Sequence, residues 1–203
     1  MYGRIEMVGC LGVGKSTLLK ACQTQKLESY CIFENLDEIA EEINYWRQKQ
    51  SERTYFIQTV YYLASHRLIH STGNLRSSNI VISDFSLLFH HYGYSYVLKE
   101  YNLLSNIEYR ALEVFLSFLQ SDLPNLIGLI YCKASYETIL SRIKGRNRAK
   151  ESEINAEFIF HLTNACNQML LQVSCPVLEL NLESCGLETA ANTVVHFAKE
   201  LTR

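Results

Sequence analysis

Eight residues near the N-terminus match a phosphate-binding loop: Gly9-Cys10-Leu11-Gly12-Val13-Gly14-Lys15-Ser16. In the pattern Gly-x-x-x-x-Gly-Lys-Ser, the glycines let backbone N–H groups close around a polyphosphate. The lysine reaches the β and γ phosphates, and the serine hydroxyl ligates Mg²⁺. The motif therefore predicts that the chain binds a nucleoside triphosphate, with ATP expected, together with Mg²⁺. The predicted nucleotide-binding residues are Gly9, Gly12, Val13, Gly14, Lys15, Ser16 and Thr17.

Two carboxylates each follow a short apolar run. Asp84 comes directly after 79–83, where phosphate-loop proteins often keep an acid that holds Mg²⁺ directly or through water. The alternative is that Asp84 caps a helix that begins at Phe85. Glu34 ends the run 30–33, and a carboxylate there could take the proton from an attacking hydroxyl. The alternative for Glu34 is an ordinary surface glutamate.

A basic segment extends from Arg142 to Arg148 and also contains Lys144 and Arg146. Guanidinium groups near a transferring phosphoryl stabilise the charge on its equatorial oxygens. The alternative is a solvated helix C-terminus, where cations are favourable in any case. Because the cluster continues past Gly145, we predict that Arg146 and Arg148 are catalytic and that Arg142 binds the nucleotide.

Gln58 lies in a segment of helical periodicity that also carries Phe56, Tyr61 and Tyr62. A primary amide offers both a donor and an acceptor, which is the pair needed to recognise a nucleobase edge. From the residues alone, a polar residue at a helix boundary is the simpler interpretation. The aromatic residues are likewise more typical of a core than of a stacking platform.

Strands and helices alternate along the whole chain. The expected strands are 4–8, 30–33, 79–83, 126–132 and 176–180. The expected helices are 15–22, one capped by Asn35, 54–70, 105–120, 135–144, 152–171 and 187–201. This alternation predicts one domain with a five-stranded parallel sheet between helices, a three-layer α/β fold. Ligands should gather beyond the carboxyl ends of the strands, where Gly9, Glu34 and Asp84 are placed.

Composition excludes several classes of protein. The 203 residues carry a net charge of −2, which gives no electrostatic reason for a nucleic acid partner. The seven cysteines are odd in number and contain no C-x-x-C pair, which indicates a reducing compartment rather than a disulfide framework. No apolar run is long enough for a membrane span, so we expect a cytoplasmic protein.

In their order, these motifs resemble the deoxyribonucleoside kinase family, specifically its bacterial deoxyadenosine/deoxyguanosine kinase branch. The resemblance covers about 3–171. It rests on the phosphate loop, on Phe-Glu at 33–34, on Phe-Ile-Gln at 56–58 with Arg67 downstream, on Ile-Ser-Asp-Phe at 82–85, and on Arg-Ile-Lys-Gly-Arg-Asn-Arg-Ala-Lys-Glu at 142–151.

The resemblance implies a P-loop kinase fold and transfer of the γ-phosphoryl of ATP to the 5′-hydroxyl of a deoxynucleoside in nucleotide salvage, with purines slightly favoured. It implies that Glu34 is the general base and that Gln58 makes paired hydrogen bonds to the nucleobase. It also implies a lid at about 142–151 with Glu151 near the sugar 3′-hydroxyl, Asp84 near Mg²⁺, and a homodimer. Phe85 stands where many relatives have arginine.

Two other functions fit the same motifs. A nucleoside monophosphate kinase similar to thymidylate kinase would need further cations to hold the acceptor phosphate. Between residues 34 and 76 the available cations are Arg47, Lys49, Arg53, Arg67 and Arg76. A non-catalytic nucleotide-binding regulator derived from a kinase would bind ATP without forming product.

Overall fold

A five-stranded, all-parallel β-sheet runs through the computed structural model, which describes residues 3–25, 30–34, 53–74, 80–145 and 155–202. Its order is β2-β3-β1-β4-β5, and every neighbouring pair is parallel. The strands are β1 (Gly3–Val8), β2 (Tyr30–Ile32), β3 (Ile80–Ser83), β4 (Asn125–Lys133) and β5 (Val177–Asn181). The predicted parallel sheet with flanking helices is therefore confirmed.

Helices connect and flank the strands. They are α1 (Lys15–Thr24), α2 (Arg53–His70), α3 (Leu87–Phe89), α4 (Tyr96–Glu100), α5 (Asn106–Ser121), α6 (Tyr136–Gly145), α7 (Ala156–Leu170) and α8 (Leu187–Glu200). A π-helical segment, His90–Ser95, joins α3 to α4. The helix predicted after Asn35 lies outside the described residues. The other predicted helices are present, with ends that differ by a few residues.

The central strands are buried on both faces. Every residue of β1 and β3 is buried. In β3, Ile80 and Ile82 belong to one hydrophobic cluster, whereas Val81 belongs to another cluster formed with α2 and α5. Successive side chains of a strand point to opposite faces, so the sheet separates two apolar layers. The carboxyl ends of β1, β2 and β3 consequently meet at one edge.

The start of α5 follows the predicted capping box. The N–H of Glu108 donates to Oγ of Ser105 at 3.2 Å, and the N–H of Ser105 donates to Oε2 of Glu108 at 2.7 Å. These reciprocal bonds satisfy two backbone donors that the helix itself leaves unpaired. The cap therefore fixes where α5 begins.

The helix after β3 starts later than one sequence interpretation allowed. Ser86 is its N-cap and accepts a hydrogen bond at 3.1 Å from the N–H of Phe89. The interpretation that Asp84 caps a helix beginning at Phe85 is therefore wrong. Because the Ser86 hydroxyl caps this helix, the Asp84 carboxylate is available for other partners.

Within the described ranges, no helix has the length and apolar character needed to cross a bilayer. All seven cysteines are free thiols.

Candidate active site

The phosphate loop connects β1 to α1 in the conformation that its glycines permit. Gly9, Gly12 and Gly14 have φ angles of +133°, +77° and +116°, respectively. A Cβ on Gly9 would lie 2.4 Å from the carbonyl oxygen of Cys132, so this position excludes any side chain. No side chain caps α1, and its first turn contains no acidic residue. The unpaired N–H groups at this helix terminus therefore form a site for an anion.

Lys15 holds its ammonium group over this loop. Its Nζ donates to the carbonyl oxygens of Gly9 at 2.7 Å and Cys10 at 3.1 Å. Ser16 and Thr17 follow in the first turn of α1, and both are exposed. The loop thus places one cation and two hydroxyl groups beside the helix terminus.

Asp84 joins the loop to the end of β2. It is buried, its side chain is hydrogen-bonded to Ser16, and its Oδ1 accepts a hydrogen bond at 2.7 Å from the N–H of Glu34. Burial raises the pKa of Asp84, while the hydrogen bonds from Ser16 and from the Glu34 N–H act in the opposite direction. Asp84 therefore contacts two other predicted residues, Ser16 through its side chain and Glu34 through its backbone N–H.

The oxygen atoms at Asp84 suit Mg²⁺. This ion prefers hard oxygen ligands and usually takes only one or two carboxylates, with water and phosphate oxygens completing its shell. The Asp84 carboxylate and the Ser16 hydroxyl supply two such ligands. Within the described ranges, no group of three or more His, Cys, Asp or Glu side chains could hold a metal ion. A magnesium ion here would therefore depend on phosphate oxygens from the nucleotide.

Glu34 faces the π-helical segment. Its Oε1 lies 3.5 Å from Nε2 of His90, a side chain that is mostly buried. The His90 ring stacks on Tyr61 of α2, with ring centroids 5.8 Å apart and planes 21° apart. Tyr94 lies further along the same segment, and its phenol oxygen is hydrogen-bonded to the backbone of Leu11 in the loop; burial raises the pKa of this phenol. The segment therefore contacts both the candidate base and the phosphate loop.

Arg142 fastens α6 to the phosphate loop. Its Nη1 donates to the carbonyl oxygen of Val13 at 2.5 Å, and its Nη2 donates to that of Leu182 at 3.2 Å. Arg142 belongs to the basic segment that is predicted to act on phosphates. It lies beside the phosphate loop. Arg146, Arg148 and Glu151 lie outside the described residues.

Gln58 lies in α2 with its side chain buried. Its Oε1 accepts a hydrogen bond at 3.1 Å from Oγ of Ser95, the last residue of the π-helical segment. The first residue of that segment, His90, faces Glu34. One short segment therefore connects the candidate base to the candidate nucleobase reader.

None of the predicted site residues lies in this segment, 90–95. Three of its residues nevertheless contact the predicted site: His90 contacts Glu34, Tyr94 contacts the phosphate loop, and Ser95 contacts Gln58. A signal was present, because His-His-Tyr-Gly-Tyr-Ser at 90–95 concentrates polar and aromatic side chains just after Asp84. This segment has no helical periodicity from which its structure could be predicted. π-Helical turns are rare in proteins overall, but those that occur are often at functional sites.

Comparisons with known proteins bear on the family and on the fold. The family model for deoxynucleoside kinases matches residues 5–203. A solved structure of deoxyadenosine kinase from M. mycoides with bound dCTP has a TM-score of 0.78 and 20% identity, covering 97% of this chain and 99% of that chain. A structure of the same kinase with the products dCMP and a flexible dCDP has a TM-score of 0.76 and 22% identity, with the same coverage. No curated protein matches.

Proposed function

This chain belongs to the deoxynucleoside kinase family and is a phosphotransferase, and we propose that ATP with Mg²⁺ is its donor and a purine deoxynucleoside its preferred acceptor. The observation that carries the proposal is the contact of Asp84 with both Ser16 and Glu34. The backbone N–H of Glu34 donates to Asp84, which supports a position for the Glu34 carboxylate near the loop that would hold the phosphates.

The proposed mechanism consists of positioning and charge neutralisation, as in other phosphoryl transfers. The loop amides and Lys15 would hold the β and γ phosphates, and Ser16 and Asp84 would hold Mg²⁺, which neutralises charge as it develops. Glu34 would accept the proton of the 5′-hydroxyl as that oxygen attacks phosphorus. Arg146, Arg148 and Glu151 keep their predicted roles in the lid.

The proposed acceptor class is supported by the family. A monophosphate acceptor would require side chains that bind its phosphate, and the family assignment favours the nucleoside instead. The preference for a purine is supported by the name of the structural neighbour, a deoxyadenosine kinase. The free cysteines agree with a reducing cytoplasmic setting, and the family agrees with a role in nucleotide salvage.

A product assay tests this function. The purified chain is incubated with ATP, Mg²⁺ and each of the four deoxynucleosides or their monophosphates, and products are separated by chromatography. We expect deoxynucleoside monophosphates to form, fastest from a purine deoxynucleoside, with no diphosphates from the monophosphates. ATP binding without any product would instead identify a non-catalytic regulator, and diphosphate formation would identify a monophosphate kinase.

We also propose that the chain forms a homodimer through the outer face of α5. Ile107, Val114 and Phe118 are 82%, 72% and 71% exposed. They recur on one face of the helix, and Leu63 of the adjacent α2 is also exposed, at 48%. Exposed apolar patches of this kind mark interaction surfaces, and a two-fold axis would bury the same patch on both subunits.

A charged residue on this face should separate the subunits. Phe118→Asp would place two carboxylates against apolar partners across the axis, so we expect light scattering to give about 23 kDa rather than twice that mass. Leu171→Asp is the matched control, because Leu171 is 79% exposed but lies beyond the end of α7. A monomeric wild-type protein would contradict the proposed interface.

A further inference from the structure

A chain of buried hydrogen bonds runs behind Gln58. Nδ1 of His91 lies 3.0 Å from the hydroxyl of Tyr62, and that hydroxyl lies 3.1 Å from Oγ of Ser95. Ser95 in turn donates to Oε1 of Gln58 at 3.1 Å. All four side chains are buried. The carboxamide of Gln58 is therefore the end of a continuous network rather than a group with free rotation.

Aromatic packing holds this network in place. The His91 ring stacks on Tyr109 of α5, with centroids 4.4 Å apart, and Tyr62 stacks on Phe115 with planes 5° apart. Burial lowers the pKa of His91 to about 4, so this imidazole is neutral at physiological pH and carries one ring proton. The position of that proton determines the direction of every hydrogen bond in the network.

The direction follows by counting protons. Ser95 has one hydroxyl proton and donates it to Gln58, so Ser95 must accept from Tyr62. Tyr62 then has no proton left for His91, and Nδ1 of His91 must be the donor between them. Nε2 of His91 is consequently unprotonated, and within the described residues this buried atom has no hydrogen-bond partner.

The reverse direction is less favourable. It would turn the NH₂ group of Gln58 toward Ser95 and place the ring proton of His91 on Nε2, where a buried N–H would have no acceptor among the described residues. Orphaned buried N–H groups are rarer in proteins than acceptors that lack a donor. The unpartnered Nε2 of His91 therefore favours the direction in which Nδ1 of His91 donates to Tyr62.

We propose that His91, Tyr62 and Ser95 are positioning residues that hold the carboxamide of Gln58 in one of its two flipped orientations and thereby determine nucleobase specificity. The inference rests on the proposed role of Gln58 as the nucleobase reader. It adds a network on α2 and the π-helical segment that does not itself touch the substrate.

A fixed carboxamide orientation should distinguish 6-aminopurines from 6-oxopurines. A 6-aminopurine presents a donor at position 6 and an acceptor at N1, whereas a 6-oxopurine presents an acceptor at position 6 and a donor at N1. A carboxamide can pair with either edge only if its oxygen and nitrogen exchange places. A locked carboxamide therefore discriminates between the two, and a carboxamide that can flip does not.

The test compares deoxyadenosine with deoxyinosine, which differ only in this exchange of donor and acceptor. We expect the wild-type enzyme to favour one of them in kcat/KM, and Tyr62→Phe and Ser95→Ala each to reduce that ratio about tenfold, in the range for one unsatisfied hydrogen bond. The loss should appear mainly in KM, because the hydrogen-bond network acts on nucleoside binding and not on phosphoryl transfer. Ser95→Thr, which keeps a hydroxyl, should preserve the ratio.

Tyr109→Phe is the matched control, because it removes a phenol hydroxyl from the same aromatic cluster but not from the hydrogen-bond network. A second readout is independent of activity: ¹⁵N NMR of the wild-type protein should find His91 protonated on Nδ1. The Nε2-protonated form would overturn the proposal, as would a wild-type ratio near one or an unchanged ratio in Tyr62→Phe. If Gln58→Ala also leaves the ratio unchanged, the proposed role of Gln58 is itself wrong.

Discussion

Replacing Glu34 by glutamine should lower kcat by about a hundredfold or more, the range for loss of a positioned general base. Glutamine keeps the size of the side chain and leaves the backbone N–H that donates to Asp84 in place. It cannot accept the proton of the attacking hydroxyl. We therefore expect the loss in kcat, measured under saturating ATP and nucleoside, with little change in either KM.

The control for this variant is Glu200→Gln, because Glu200 is an exposed carboxylate at the end of α8. It should retain wild-type turnover. A second observation separates proton transfer from misplacement of the substrate: the Glu34→Gln enzyme should bind deoxynucleoside with wild-type affinity in equilibrium titration. Wild-type turnover in Glu34→Gln would remove Glu34 from the role of base, whereas lost affinity would make it a binding residue.

Much of the fold could be predicted from the sequence because its signals are local. The continuous apolar runs at β3 and β4 indicate strands buried on both faces, and Ser105 with Glu108 indicates the start of α5. The phosphate loop is equally local, since its glycines determine the backbone conformation and Lys15 and Ser16 follow directly. The order of strands and helices then gives the parallel sheet and the edge at which ligands gather.

The contacts of the π-helical segment with Glu34 and Gln58 could not be predicted, because they join segments that are distant in the sequence. The proximity of His90 to Glu34 joins residues 56 positions apart, and nothing near either residue indicates it. The partners of Gln58 are set by a π-helical turn whose hydrogen-bond pattern has no sequence periodicity. The buried pair of Arg4 and Glu6 in β1, 2.7 Å apart, could not be predicted for a different reason, because charged residues are rarely buried inside a central strand.

Replacing Lys15 by alanine should lower kcat by about a hundredfold to a thousandfold, the range for removal of one preorganised charge stabiliser. The ammonium group of Lys15 lies over the loop, where the β and γ phosphates would be held. Negative charge on those phosphates redistributes during transfer, so the cation stabilises the transition state more than it stabilises bound ATP. The loss should therefore be larger in kcat than in the affinity for ATP.

Two further measurements distinguish this electrostatic effect from damage to the loop. Lys15 also donates to the carbonyl oxygens of Gly9 and Cys10, so its removal could alter the loop itself. An altered loop would weaken the binding of ADP and of ATP together and lower the Tm, whereas loss of the cation alone leaves both nearly unchanged. Lys20→Ala is the matched control, because Lys20 lies on the same helix and is exposed. If Lys15→Ala raised only the KM for ATP and kept the wild-type kcat, Lys15 would bind ground state and transition state equally, and the proposed mechanism would lose its main source of charge neutralisation.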